Sequence, residues 1–260
     1  MKYGLRFDQK NKGYLNECDE IIIPYNRKFD ELRLIADYPY KQFVIEIPYF
    51  VDDVDWKRLD NFNKMCQNRL VVEISDIDDV SLCKQYGLKF FYGFPSSTFE
   101  ELNALKALGV SYFKVAAPLF FQLPDVKKLG VPVRMTANKS RWNDIIPTGM
   151  FGTWIRPEDV GLYEDYIDTI DFFSSTPEQE SALYRIYVHE KEWPGLLNQI
   201  IFDINCPGVN NRFLNSEITE RRINCGQSCQ KNGNCQLCRR SFHLANREFL
   251  KQYTSEIDKF

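Results

Sequence analysis

The sequence predicts a parallel (β/α)8-type barrel, of the TIM-barrel class, with a helical, cysteine-rich appendage at its C-terminal end. Three observations carry this. Short runs apolar on both faces, such as FVIEI, LVVEI and YFKVA, recur about every 20 residues, as in strands covered by helices on both sides of a sheet. Helical patterns fill several of the gaps between them. After about residue 175 the rhythm stops and a cysteine cluster follows.

The strand candidates are Tyr3–Phe7, Glu20–Tyr25, Phe43–Ile47, Leu70–Ile74, Lys89–Phe94, Tyr112–Ala116, Val131–Met135 and Phe151–Ile155, with Thr169–Phe173 as a ninth. Val54, Leu59, Phe62 and Met65 mark one helix, and Val80 to Tyr86 marks a shorter one stopped by Gly87. Thr98 with Glu101 forms a capping-box pattern ahead of Phe99, Leu102, Leu105 and Leu108, and Gly109 supplies the stop. Eight strands within about 155 residues are compact for a barrel, and an open doubly wound sheet is the alternative. Neither common Gly-rich phosphate motif is present, so the sequence gives no support for nucleotide binding. Pro177 to Val188 and Trp193 to Phe202 read as helices, followed by an irregular cysteine-containing stretch and a helix from about Phe242 to Ile257. The division is a barrel over residues 1–175 and an appendage over residues 176–260, whose last helix is expected to bury Phe242, Phe249 and Leu250.

Composition narrows the functional classes. The chain has 260 residues, 44% hydrophobic and 15% aromatic, which supports a packed core and argues against disorder. A net charge of −3 and a pI near 5.6 supply no footprint for duplex DNA or an anionic membrane. No apolar run approaches the roughly 20 residues that span a bilayer. The stretch Met1 to Asp8 reads as a strand rather than a signal core, which points to the cytoplasm. In a reducing compartment, clustered cysteines are metal ligands more often than disulfides.

Cys225, Cys229, Cys235 and Cys238 have the paired short spacings that bring thiolates to one centre, and Gly226 and Gly233 permit the tight backbone. Four thiolates suit Zn²⁺ or an iron–sulfur cluster, and spacing does not choose between them. Cys206 is the first substitute ligand, and His243 can replace one for zinc. Cys18, Cys66 and Cys83 sit singly among apolar residues and read as small core residues.

Single charges interrupt the buried runs at Arg6, Glu46, Glu73, Lys114 and Arg134. In a barrel the helix-facing positions are apolar, so these five point inward, most of them near the strand ends where barrel active sites form. Buried charges are costly alone, so they are expected to pair. One reading makes Glu46 and Glu73 proton-transfer groups, Lys114 a nucleophile or anion-binding group and Arg134 a partner lining the same pocket. The other makes all of them a structural salt network. The loops beyond add Asp8, Asn26, Ser75, Asp76, Ser96, Asn138, Lys139, Arg156, Glu158 and Asp159. The histidines are His189 and His243 alone, both C-terminal, which disfavours histidine-based triads at the strand ends. Asn210, Asn211, Arg212, Arg221 and Arg222 are phosphate-contact candidates, more simply read as solvated surface.

A compact barrel followed by cysteine ligands resembles the peptidase U32 family, whose members include enzymes that hydroxylate RNA. Leu108 to Lys114 and Leu129 to Arg134 are similar in rhythm to that family's middle strands. The resemblance implies a metal-dependent enzyme acting on RNA or a peptide. The family's His-Gly and paired-cysteine motif is absent, so no residue role carries over. Phe113-Lys114-Val115-Ala116 looks like the sixth strand of Schiff-base aldolases and dehydratases, which implies a nucleophilic role for Lys114. The alternative to the metal-dependent enzyme is a non-catalytic structural or assembly protein that reuses the barrel, with the cysteine knot as a staple, and a Schiff-base lyase using Lys114 comes third.

Overall fold

In a computed structural model the chain forms eight strands alternating with helices. The structure describes residues 1–8, 11–26, 30–49, 51, 53–138, 154–172, 174–201, 210–214, 216–223 and 225. The strands are β1 (Lys2–Arg6), β2 (Glu20–Pro24), β3 (Gln42–Glu46), β4 (Leu70–Ile74), β5 (Lys89–Tyr92), β6 (Phe113–Lys114), β7 (Val133–Thr136) and β8 (Thr169–Asp171). Their order is β5-β4-β3-β2-β1-β8-β7-β6, with every pair parallel. The two ends of this sheet meet. Ser111 N donates to Phe90 O at 2.7 Å, and Ser96 bridges Val115 by donating to Lys114 O at 2.9 Å and accepting from Ala116 N at 2.7 Å. The result is a nearly closed barrel of the TIM-barrel class, as the alternation of runs predicts.

The helices are α1 (Lys12–Leu15), α2 (Glu31–Asp37), α3 (Trp56–Met65), α4 (Asp79–Gln85), α5 (Phe99–Leu108), α6 (Ala117–Phe120), α7 (Leu123–Lys127), α8 (Pro177–Tyr184) and α9 (Ser216–Ile223). Several are single turns, which is how the barrel stays so compact. The Thr98–Glu101 capping box forms, and α5 ends at Gly109 in the left-handed region at φ 82°. Alternate strand residues face outward: Ile21, Ile23, Phe43, Ile45, Leu70, Val72, Phe90, Phe113, Val133 and Met135 are buried in one core with Leu59, Phe62, Leu102 and Val126 from the helices. Phe43 and Phe62 meet with ring centroids 5.2 Å apart. Each such side chain contributes roughly 1.5–3 kcal/mol by leaving water. Cys18, Cys66 and Cys83 are buried in this core, where burial raises all three thiols and pushes Cys18 and Cys83 to about 12.

Two sequence expectations are corrected. The eighth strand is Thr169–Asp171, not Phe151–Ile155; residues 151–153 lie outside the described set, and Trp154 and Ile155 are irregular. β8 lies beside β7, Arg134 opposite Thr169 and Thr136 opposite Asp171, and it brings a carboxylate to the buried Arg134 guanidinium. Phe151–Ile155 carries no group able to do that. The second correction concerns Trp193 to Phe202. Only Leu197–Gln199 forms a short 3-10 turn, because side chains there take over the backbone groups. Trp193 Nε1 donates to Leu196 O at 3.0 Å, and Gln199 Oε1 accepts from Leu196 N at 3.0 Å.

The predicted helix from Pro177 is α8, continued by a π-type turn over Arg185–Glu190 that closes at Lys191 with φ 56°. α8 follows β8 and packs against β1. α9 packs on a 3-10 helix over Pro157–Tyr163. The predicted terminal helix with Phe242, Phe249 and Leu250 lies outside the described residues. Among the described residues no helix is long and apolar enough to cross a membrane.

Candidate functional site at the strand ends

Period-two alternation turns a second set of side chains into the barrel. Ile22, Val44, Val71 and Phe91 form a small apolar plug with Tyr112, separate from the outer core. Gly4 also lies at this level. A Cβ on it would stand 2.9 Å from Arg134 Nη2 and 3.1 Å from Ile22 Cδ1, so a side chain there would collide with the packed interior.

Polar groups occupy both sides of the plug. On the side of the strand starts, Tyr112 donates to Glu20 Oε1 at 3.1 Å and accepts from Gln42 at 3.1 Å. Arg134 reaches through to pair with Glu20 Oε2 by Nη1 and with Asp171 Oδ2 by Nε at 2.9 Å. Its guanidinium stacks over Phe91, 5.4 Å from the ring centroid. Burial by itself would raise the Asp171 carboxyl, but Arg134 and Lys114 outweigh it and hold it below the usual range.

At the strand ends, Lys114 Nζ donates to Glu73 Oε1 at 2.7 Å, with side chains 10% and 13% exposed. Arg6 donates to Glu46 at 3.1 and 3.3 Å. Gly93 makes room for Glu73, because a Cβ would lie 2.8 Å from Glu73 Oε1. All five strand charges therefore face inward, and each is paired. Glu46, Glu73 and Lys114 share the mouth, while Arg134 is sealed inside at zero exposure and reaches no open space. Glu46 uses both oxygens on Arg6, whereas Glu73 Oε2 has no partner among the described residues.

Three acidic members of this interior escape a reading of isolated charges. Glu20 opens its strand and so looks like a boundary residue. Asp171 lies on the strand taken as supernumerary. Glu180 lies in a helix, yet it is buried, with Oε1 accepting from Arg6 N at 2.7 Å and Oε2 facing Ser174 Oγ at 3.4 Å. Burial pushes its carboxyl up to about 7 against the opposing pull of the Arg6 backbone and side chain. The folded protein thus holds a proton on Glu180 that the unfolded chain releases at lower pH. The stabilisation tied to that proton is complete below the ordinary glutamate pKa and is lost as pH rises through about 7. Chemical denaturation at pH 5 and pH 8 should show a decline for the wild type that Glu180→Gln flattens, because Gln keeps the acceptor for Arg6 N without the charge.

The loop candidates divide. Arg156 and Asp159 are buried and paired side-on at 2.6 and 2.8 Å, and they hold α9 rather than line the mouth. Glu158 accepts from Trp193 N at 2.9 Å, and Asn211 donates to Trp193 O at 2.8 Å. Arg222 is no surface residue: it is 1% exposed, with its guanidinium 4.3 Å from the Trp154 ring centroid and 5.5 Å from those of Phe120 and Phe121. Asp8 and Asn26 line a separate cleft of about 290 Å³ with Phe7, Lys12, Arg33 and Tyr38. Ser75 donates to Ile47 O at 2.9 Å, and Asn138 is buried. Asp76 is exposed in the loop after β4. His189 contacts Glu17 at 2.8 Å, away from the barrel mouth. Lys139, Cys206, Cys229, Cys235, Cys238 and His243 lie outside the described residues. Cys225 is a free thiol, half-buried at the end of α9 with its N donating to Arg222 O at 3.2 Å. Among the described residues no group of three or more metal-ligating side chains converges.

No protein-family model matches the sequence, the U32 family included, and no curated protein matches it significantly. Among solved structures, a cube-shaped, highly porous protein cage designed by fusing symmetric oligomeric domains is similar over 99% of this chain and 84% of that one, at 10% identity and a TM-score of 0.44. A structure described as native KDPGal is similar over 73% of this chain and 94% of its own, at 13% identity and a TM-score of 0.44. Neither likeness bears on chemistry. What stands is a parallel (β/α) barrel with an ion-paired interior.

Proposed function

We propose that this protein is a barrel enzyme acting on a small aldehyde or ketone, with Lys114 as the nucleophile and Glu73 as its proton partner. The observation that carries the reading is the Lys114–Glu73 pair: an amine on the sixth strand, 2.7 Å from a carboxylate that keeps one oxygen without a partner among the described residues, at the end of the barrel where barrel chemistry occurs. Lys114 must lose a proton before it can attack, and Glu73 is placed to take it. The free amine then adds to the carbonyl carbon. Glu73 returns the proton to the carbinolamine oxygen, water leaves, and the resulting iminium draws electrons from the neighbouring carbon. Phe91 beneath the ammonium, 5.3 Å from Nζ, keeps the pair on a partly apolar floor.

Borohydride reduction in the presence of small ketones or aldehydes, followed by peptide mass analysis, tests this. The expected result is an irreversible adduct on Lys114, absent in Lys114→Met. The same variant should melt within a few degrees of wild type, since Glu73 at the mouth can rehydrate once its partner is gone. A fall as large as that expected for Arg134→Met would instead make the pair part of a structural network, with the barrel serving assembly rather than catalysis.

The cysteine spacing supports a second reading. We infer that Cys225, Cys229, Cys235 and Cys238, with Cys206 as substitute, hold one Zn²⁺ or one iron–sulfur cluster beside α9. The donor set is chemically suited to either. With iron the protein would belong to a redox class loosely like U32 enzymes, acting on RNA or a peptide. With zinc the site would be a structural staple. Metal analysis and an absorbance spectrum of anaerobically purified protein separate these, and a metal-free protein of full stability refutes both.

A further inference from the structure

Three consecutive loops at the strand ends carry an unusual surface. They follow β3, β4 and β5, and the stretches 47–56, 75–83 and 93–105 contain no lysine or arginine. Their exposed large side chains are Tyr49, Ile77 and Phe94, at 66%, 47% and 49% exposure. Tyr49 and Phe94 meet edge to face with centroids 6.5 Å apart, and Tyr92 tilts onto Phe94 at 5.5 Å. Aromatic rings held in water are costly unless something covers them for part of the protein's working life.

Carboxylates border the rings. Asp53, Asp55, Asp76 and Asp78 are exposed in the same loops, and Asp79 is half-buried beside them. Asp76 acts on Tyr92 and on Asp79, whose carboxyl is raised by burial and then by Asp76 and Asp78, so the charges are crowded. Charge disfavours a nucleic acid here, because these stretches carry carboxylates and no cation to meet its phosphates. Rings bordered by carboxylates complement cations with apolar stems, which stack their heads on the ring faces and pair with the acids. The patch crosses three neighbouring strands, roughly 10 Å at ordinary strand spacing. That is too long for one ammonium and matches about three residues of extended chain.

We propose that this rim binds a segment of polypeptide rich in lysine or arginine interleaved with apolar residues. The rim adjoins the barrel mouth, since Phe94 follows Gly93, the residue packed on Glu73. The inference does not depend on Lys114 chemistry.

Calorimetric titration of the full chain with an alternating lysine–leucine hexapeptide and its glutamate–leucine counterpart tests it. The lysine peptide should bind, more weakly as salt rises, and the glutamate peptide should not. Tyr49→Ser with Phe94→Ser should weaken binding about tenfold, the equivalent of two exposed cation–π contacts. Asp76→Asn with Asp78→Asn should flatten the salt dependence. All four side chains are exposed, so the variants should melt with wild type. The proposal falls if wild type ignores the lysine peptide, binds both peptides alike, binds it undiminished in both variants, or prefers a single-stranded oligonucleotide.

Discussion

Arg134→Met should be the most damaging single substitution in the barrel, lowering stability by about 3–5 kcal/mol. The guanidinium is fully buried, and it is the shared partner of Glu20, also fully buried, and of Asp171, 9% exposed. Removing it deprives two buried carboxylates of their ion-pair partner, and Asp171 keeps only the weaker pull of Lys114. Methionine fills most of the volume, so the loss is electrostatic rather than a cavity. For a chain of this size that loss lowers Tm by roughly 6–20 °C. The pH dependence identifies the cause. Asp171 is held below its ordinary pKa by Arg134 and Lys114 against the effect of burial, so its share of stability is present at neutral pH and lost as pH falls through its folded value. In the variant the larger, Arg134 part of that share is already gone. Its deficit should therefore shrink in acid, as the buried Asp171 carboxylate takes up a proton. Thermal melts at pH 7 and pH 4 measure both effects, and an equal deficit at the two pH values would point to packing instead.

Asp159→Ala should cost a similar amount, about 3–5 kcal/mol, and its first effect is local. Asp159 is 1% exposed and accepts both prongs of the Arg156 fork. It also accepts from Ser216 at 2.8 Å and from Thr219, so a single carboxylate joins the β7–β8 connection to α9. Without it, Arg156 keeps Leu214 O at 2.6 Å but loses its counter-charge, and two hydroxyls of α9 lose their acceptor. Hydrogen exchange should rise first across Ser216–Ile223, with the barrel strands following only as global stability drops. Asp159→Asn should recover part of the loss, since one amide oxygen still accepts. Protection of α9 equal to wild type in the alanine variant would show that the contacts of Arg222 with Trp154, Phe120 and Phe121 suffice to hold the helix.

Much of the architecture was readable without coordinates. Apolar faces on both sides of FVIEI and LVVEI require cover on both sides, which in turn requires parallel strands with helices outside. Thr98, Glu101 and Gly109 mark the ends of α5 because caps are local chemistry. The inward direction of Arg6, Glu46, Glu73, Lys114 and Arg134 follows from period two alone. Partner choice does not, because it depends on register and on strands far apart in sequence: Arg134 meets Glu20 across 114 positions and Lys114 meets Glu73 across 41. The same blindness promoted Phe151–Ile155 over Thr169–Asp171. Hydrophobicity ranks the first run higher, yet only the second carries a carboxylate to the buried guanidinium.

Burial is the other quantity that tertiary structure alone decides. Arg156 and Asp159 read as loop groups at the barrel mouth and Arg222 as solvated surface, because charged residues on loops and helix ends are usually exposed. α9 packs over Arg156 and Asp159 and carries Arg222 inward against Trp154, and each becomes a fixed partner rather than a free charge. Glu180 shows the converse: an ordinary helical glutamate by sequence, it becomes a proton-holding group near neutrality because α8 presses it against the end of β1. Sequence determined the alternation, the caps and the direction of the inward charges, since all three are set within a few residues. The fold decided which charges meet, which are sealed from water and which remain at the mouth, since those depend on distances closed only when β1 pairs with β8 and the sheet ends at β5 and β6 meet.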